Sequence, residues 1–165
     1  MKSQLRIAFL HGFESKEVSD KTKYLDDNFI CYHPKMDYNN PNLFEIIYHE
    51  LYEFKPDYIV GSSMGGWYAY CYSTLLNVPS ILFNPAMHGR PIEVPVIQGQ
   101  YKPIHHVILG EFDDVLDYKD TLMWFYIKKT DEHVNYDVQL EPMEHRTPIE
   151  IFKKYMIIYA LHETY

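Results

Sequence analysis

Ile59-Val60-Gly61-Ser62-Ser63-Met64-Gly65-Gly66-Trp67-Tyr68-Ala69-Tyr70 is the stretch on which the reading of this chain turns. The apolar run Tyr58-Ile59-Val60 stops at Gly61. Two serines, Met64 and two glycines follow, and then a segment, Gly65 to Leu76, that reads as helix. That segment is apolar nearly all round, the pattern of a helix packed deep in a domain. Gly61-Ser62-Ser63-Met64-Gly65 matches G-x-S-x-G between a strand and a helix. In that setting Gly61 and Gly65 let the backbone turn sharply, and Ser63 stands exposed at the helix N-terminus. The next backbone N–H, from Met64, can then face a developing oxyanion. The bland alternative is a serine cap in a glycine-rich turn, and a lone motif does not decide between them.

Outward from this stretch, short apolar runs alternate with helical segments. Leu5 to Leu10, Phe29 to Tyr32, Tyr58 to Val60, Ser80 to Phe83 and His106 to Leu109 read as buried strands. Residues 16 to 27 contain a short polar helix. Asn40-Pro41 predicts the cap and first position of the next helix, whose stripe is Leu43, Ile47, Leu51 and Phe54 and whose end is Pro56. Residues 115 to 128 read as helical. Val134, Tyr136, Val138 and Leu140 alternate with polar residues, which predicts a half-exposed strand at a sheet edge. Thr147-Pro148-Ile149-Glu150 has the pattern of a capping box, followed by the stripe Ile149, Phe152, Met156 and Ala160. Such alternation predicts a parallel sheet covered on both faces. The stretch Asn84 to Pro103, with four prolines, is expected to be a surface excursion beside the site.

The chain has 165 residues, which suggests one domain over 1–165. The net charge of -8 argues against nucleic acid or anionic membrane as partners. No run approaches the ~18 apolar residues of a membrane span, and the N-terminus lacks a signal-peptide pattern. Cys31 and Cys71 form neither a disulfide framework nor a metal pair, so a reducing, cytoplasmic setting is expected. No metal is expected: His105 and His106 are adjacent on a strand and point to opposite faces. No G-x-G-x-x-G or P-loop occurs, so no cofactor is expected. Asp131-Glu132-His133 reads as a solvated loop, and Cys71 as core.

A serine hydroxyl needs a base, and the base needs an orienting carboxylate. On a serine elbow of this kind they follow in the order Ser, acid, His, each on a loop after a strand. Asp113 and Asp114 lie just beyond the strand ending at Leu109, and His145 lies beyond the edge strand. Either aspartate could instead cap the next helix, and His145 could be a solvated loop residue. The three together, in order, favour a hydrolase. Asp113 comes first on its turn and is taken as the acid, with Asp114 as cap of a helix beginning near Val115; Asp117 and Glu144 are the reserves. His11-Gly12-Phe13 ends the first strand. There Gly12 would permit close approach, the Phe13 N–H would be the second oxyanion donor, and His11 would support rather than act as a base.

The segments Ala8 to Ser15, Gly61 to Gly66, Gly110 to Tyr118 and Glu144 to Phe152 resemble the small YqiA-type bacterial esterases, a lidless α/β-hydrolase family. The resemblance spans nearly the whole chain. It implies a minimal three-layer α/β-hydrolase fold of about six mostly parallel strands without a lid domain, a triad of Ser63, Asp113 and His145, and hydrolysis of carboxylic esters. The chain departs from it at Met143-Glu144, where two small residues are expected before the histidine, and at Lys16, where the family tends to have a second serine. The expected substrate is a small soluble ester or thioester. An acyltransferase on the same three residues, and a binding protein that kept the fold without turnover, are the rivals. Acyl length and oligomeric state are not legible.

Overall fold

A computed structural model of the chain describes residues 3–13, 15, 18–88 and 102–161. The elements run β1 (Arg6–Leu10), α1 (Asp20–Asn28), β2 (Ile30–Tyr32), α2 (Leu43–Phe54), β3 (Tyr58–Ser62), α3 (Met64–Leu76), β4 (Ser80–Phe83), β5 (Ile104–Gly110), α4 (Tyr118–Glu132), β6 (Asn135–Glu141) and α5 (Ile149–Tyr155), which continues as a π-helical segment, Met156–Leu161. The six strands form one sheet in the order β2-β1-β3-β4-β5-β6, and every pairing is parallel. The strands read in the sequence are all present, and the fold is a minimal α/β-hydrolase architecture.

Side chains two apart on a strand share a face, and this divides the core in two. Ala8, Leu10, Ile59, Leu82, Val107 and Leu109 meet α2, α3 and Phe125 of α4. Ile7, Phe9, Val60, Ile81, Phe83 and Ile108 meet Leu25 of α1 and Phe152, Tyr155 and Met156 near the C-terminus. Three layers result. Helix α2 buries Leu43, Ile47 and Leu51 at i, i+4, i+8, each stabilising the fold by about 1.5–3 kcal/mol. In α3, Trp67, Tyr70, Cys71 and Tyr72 are all buried, as its lack of a polar face foretold. Burial pushes the Cys71 thiol well up from its ordinary value, which suits a core residue.

The helix starts differ from the sequence expectations. Helix α2 begins at Leu43 after Asn42, because the Asn40 side chain accepts from Asn42 N–H in a local turn, 2.9 Å, instead of capping a helix. Helix α4 begins at Tyr118, and its cap is Asp117, which accepts from Lys119 N–H at 2.9 Å; Asp114 does not cap it. The capping box at Thr147 does not form. Pro148 is the cap residue, and the Thr147 hydroxyl is buried without a partner. The edge strand is β6, with Tyr136 and Val138 against the core as expected, but Leu140 is exposed. Of the excursion expected from Asn84 to Pro103, residues 89–101 lie outside the described ones. Among the described residues no helix is long and apolar enough to cross a membrane.

Candidate active site

Strand β1 has β2 on one side and β3 on the other, so chain progression reverses direction at β1 and β3. The carboxyl ends of strands at such a switch point are where open α/β sheets bind ligands. Here β1 ends at Leu10, before His11-Gly12-Phe13, and β3 ends at Ser62, before Ser63.

The corner after β3 is tight. Ser63 has φ 54 and ψ -120, a left-handed backbone that a non-glycine residue adopts at a cost of order 1–3 kcal/mol. Its surroundings hold it there. Ser63 N–H donates to Phe83 C=O at 3.1 Å, and Ser63 C=O accepts from Gly66 N–H at 3.0 Å and Ala86 N–H at 2.9 Å. The flanking glycines are required by close packing. A Cβ on Gly65 would lie 2.0 Å from Leu10 O, and one on Gly61 would lie 2.3 Å from Gly65 O. Gly12 approaches the corner from β1: a Cβ there would lie 3.2 Å from the Ser63 Cβ. Met64 opens α3 directly after the serine.

Three side chains meet at this corner. His145 Nε2 lies 3.0 Å from Ser63 Oγ, and His145 Nδ1 lies 2.8 Å from Asp113 Oδ2. The second carboxylate oxygen, Oδ1, accepts from Val115 N–H at 2.9 Å and Leu116 N–H at 2.8 Å. The Asp113 side chain is 2 % exposed and that of His145 is 22 % exposed. A carboxylate accepting at Nδ1 fixes the ring tautomer, leaving Nε2 to accept from the serine hydroxyl. Asp114 is exposed and makes no hydrogen bond among the described residues. Of the two reserves, Asp117 is the cap of α4 and Glu144 is exposed.

His11 is buried behind the site. Its Nε2 accepts from Met36 N–H at 3.1 Å, so Nδ1 carries the proton donated to Gly12 C=O at 2.8 Å. Tyr38 donates to His11 C=O. The ring braces the loop that carries Phe13.

Asn84 was not legible as part of the site. It is buried, with φ 42. Its amide donates to Glu144 C=O at 3.1 Å and His145 C=O at 2.8 Å, and its Oδ1 accepts from Gly110 N–H at 2.7 Å. One side chain at the end of β4 therefore ties the histidine loop to the base of the acid loop. The only local signal is Asn-Pro after a strand; the partners lie 26 to 61 residues away.

His105 and His106 face opposite sides of the sheet. His105 Nδ1 is 2.8 Å from Ser80 Oγ and the ring packs on Tyr70, whereas His106 pairs with Asp137 and stacks on Tyr159. Full burial, reinforced by His106, pushes the His105 pKa down to about 3.

A groove of about 990 Å³ opens over the corner, with Gly12, Phe13, Ser63 and His145 in its wall. Phe13, Val18 and Val115 expose apolar surface along it.

The chain belongs to the uncharacterised protein family UPF0227, the YqiA-like family, whose model matches residues 6–145. Solved structures share the fold. Est1E from Butyrivibrio proteoclasticus is 13 % identical, with a TM-score of 0.72 over 99 % of this chain and 90 % of that one. A carboxylesterase from Bacillus cereus is 14 % identical, with a TM-score of 0.64 over 97 % and 89 %. The capsule O-acetyltransferase of Neisseria meningitidis serogroup A is 13 % identical, with a TM-score of 0.67 over 99 % and 89 %.

Proposed function

We propose that this protein hydrolyses a carboxylic ester or thioester of a small molecule through an acyl-enzyme on Ser63. The single observation that carries the reading is the hydrogen-bonded series from Ser63 Oγ through His145 to Asp113, with contacts of 3.0 and 2.8 Å at the sheet's switch point. Ser63 Oγ attacks the acyl carbon as His145 Nε2 takes its proton. The carbonyl oxygen becomes an oxyanion, held by the Phe13 and Met64 backbone amides. The oxyanion collapses, the bond to the leaving oxygen or sulfur breaks, and His145 gives that atom its proton. Water then attacks the acyl-enzyme with His145 as base, releasing the acid and restoring Ser63. Asp113 holds the ring and balances its charge while protonated. Gly12, Gly61 and Gly65 keep the two loops close, and His11 braces the first of them. No metal or cofactor takes part in these steps. A reducing, cytoplasmic setting suits Cys31 and Cys71, which form no disulfide.

A fluorophosphonate probe tests the assignment. Wild type and Ser62→Ala are labelled and Ser63→Ala is not; labelling of Ser63→Ala at the wild-type rate refutes it. The likeness to an O-acetyltransferase favours one second reading, in which an alcohol replaces water at the second step. Partition of the acyl group between water and added alcohols distinguishes the two.

A further inference from the structure

We infer that the substrate carries an anionic group, a carboxylate or a phosphate, held by Lys21 and Arg146 in the groove that opens on Ser63 and His145. This deepens the hydrolase reading above and rests on it.

Both cations line the same groove as the serine and the histidine. Lys21 comes from the first turn of α1, and Arg146 directly follows His145. They are brought together although the chain as a whole carries a net charge of -8. Among the described residues, no carboxylate lies within 4.0 Å of either, so neither charge is neutralised by an acidic partner. The Lys21 ammonium stands instead over the Phe152 ring, 5.8 Å from its centroid. Burial first, and Arg146 second, push the Lys21 pKa down to about 8. A cation in the first turn of a helix is also opposed by the helix dipole. Burial, a neighbouring cation and the dipole thus all disfavour the charge on Lys21. Such an arrangement gains most from an incoming anion, and disfavoured charges of this kind concentrate at functional sites. The N-terminal end of α1 attracts the same anion. Asp20 also lines the groove; like Arg146 it is exposed, and it pairs with neither cation. Phe13, Val18 and Val115 offer apolar contact to the rest of the ligand.

The test compares matched esters. On the acyl side these are 4-nitrophenyl hydrogen adipate and neutral 4-nitrophenyl heptanoate. On the leaving-group side they are 4-acetoxybenzoate and 4-acetoxybenzamide. The wild type is expected to favour the anionic member of at least one pair in kcat/KM, by roughly tenfold, the scale of a partly buried charge-assisted contact. The pair showing the preference tells whether the anion sits on the acid or the alcohol. Lys21→Met and Arg146→Met are expected to lower the anionic-to-neutral ratio several-fold, mainly through KM, and Lys21→Arg to restore it. Hydrolysis of the neutral esters with no preference for charge, or a ratio that neither methionine variant changes, overturns this inference and leaves the hydrolase reading standing. An enzyme that hydrolyses none of the four and is not labelled at Ser63 overturns both.

Discussion

Strands β5 and β6 carry one His–Asp pair and the loops that follow them carry another, and the two are built in opposite senses. In the site the carboxylate is buried and the imidazole is open: the Asp113 side chain is 2 % exposed and that of His145 22 %. At the other pair the imidazole is buried and the carboxylate is open, with His106 6 % and Asp137 38 % exposed. Both have the Nδ1–carboxylate contact, 2.8 and 2.6 Å. They differ at Nε2. That of His145 reaches Ser63 Oγ, while that of His106 is enclosed without a partner. The His106 ring lies flat on Tyr159, centroids 3.7 Å apart, and the Tyr159 hydroxyl donates to the same Asp137. The couple alone therefore implies no chemistry. An accessible Nε2 beside a nucleophile does, and without one the same two residues serve as packing.

Substitutions at the two pairs separate these roles. His145→Ala is expected to lower kcat by on the order of 10⁴ to 10⁶ with little change in Tm. His106→Ala is expected to lower Tm by several degrees and leave kcat within a few-fold. Steady-state kinetics and thermal unfolding on both variants check this; equal kinetic losses would erase the distinction.

The acids extend the comparison. Asp113→Asn favours the wrong imidazole tautomer and is expected to cost on the order of 10⁴ in kcat in a folded protein. Asp137→Asn removes a charge-assisted bond from a structural pair, and about 1–3 kcal/mol of stability should go with it. Asp114→Ala should do neither. A kinetic loss at Asp114 comparable to that at Asp113 would move the orienting carboxylate.

Asn84 sharpens the same contrast at a distance from the chemistry. Asn84→Ala removes the link between the histidine loop and Gly110. A loosened base is expected to cost roughly 10- to 100-fold in kcat, with slower fluorophosphonate labelling of Ser63. A stability loss with an unchanged labelling rate would make Asn84 a structural residue only.

What could be read in advance was what the chain writes locally. Gly61 and Gly65 flank Ser63 within five residues, and the close approaches that demand them are made at that same corner. The strands announced themselves as apolar runs because both sheet faces are covered. Helix starts were harder, since a short polar side chain can serve a turn or a cap. Asn40 serves a turn, Asp113 accepts from two turn amides while facing His145, and Asp117, four residues on, is the cap. Thr147 has the spacing of a capping box, yet its hydroxyl is buried without a partner. The contacts of Asn84, the shared groove of Lys21 and Arg146 and the pairing of His106 with Asp137 join distant segments, and nothing in their neighbours announces them.

A pH-dependent effect concerns the histidine that precedes the structural pair in sequence. His105 is held neutral, with its pKa at about 3 against 6.5 in an unfolded chain. The unfolded state therefore binds a proton that the folded state refuses. Stability attributable to this group is complete above pH 6.5 and declines as the pH falls toward 3. His105→Gln should flatten that slope in denaturant titrations at stepped pH; an unchanged slope would place the acid sensitivity elsewhere.

The account stands most directly on a covalent acyl group at one residue. Rapid mixing with 4-nitrophenyl acetate, acid quenching and peptide mass spectrometry should find a single acetyl on Ser63. The adduct should form in a burst with 4-nitrophenol release, accumulate in wild type and be absent from Ser63→Ala. An acetyl on another side chain during turnover, or steady hydrolysis by Ser63→Ala at the wild-type rate, would contradict it.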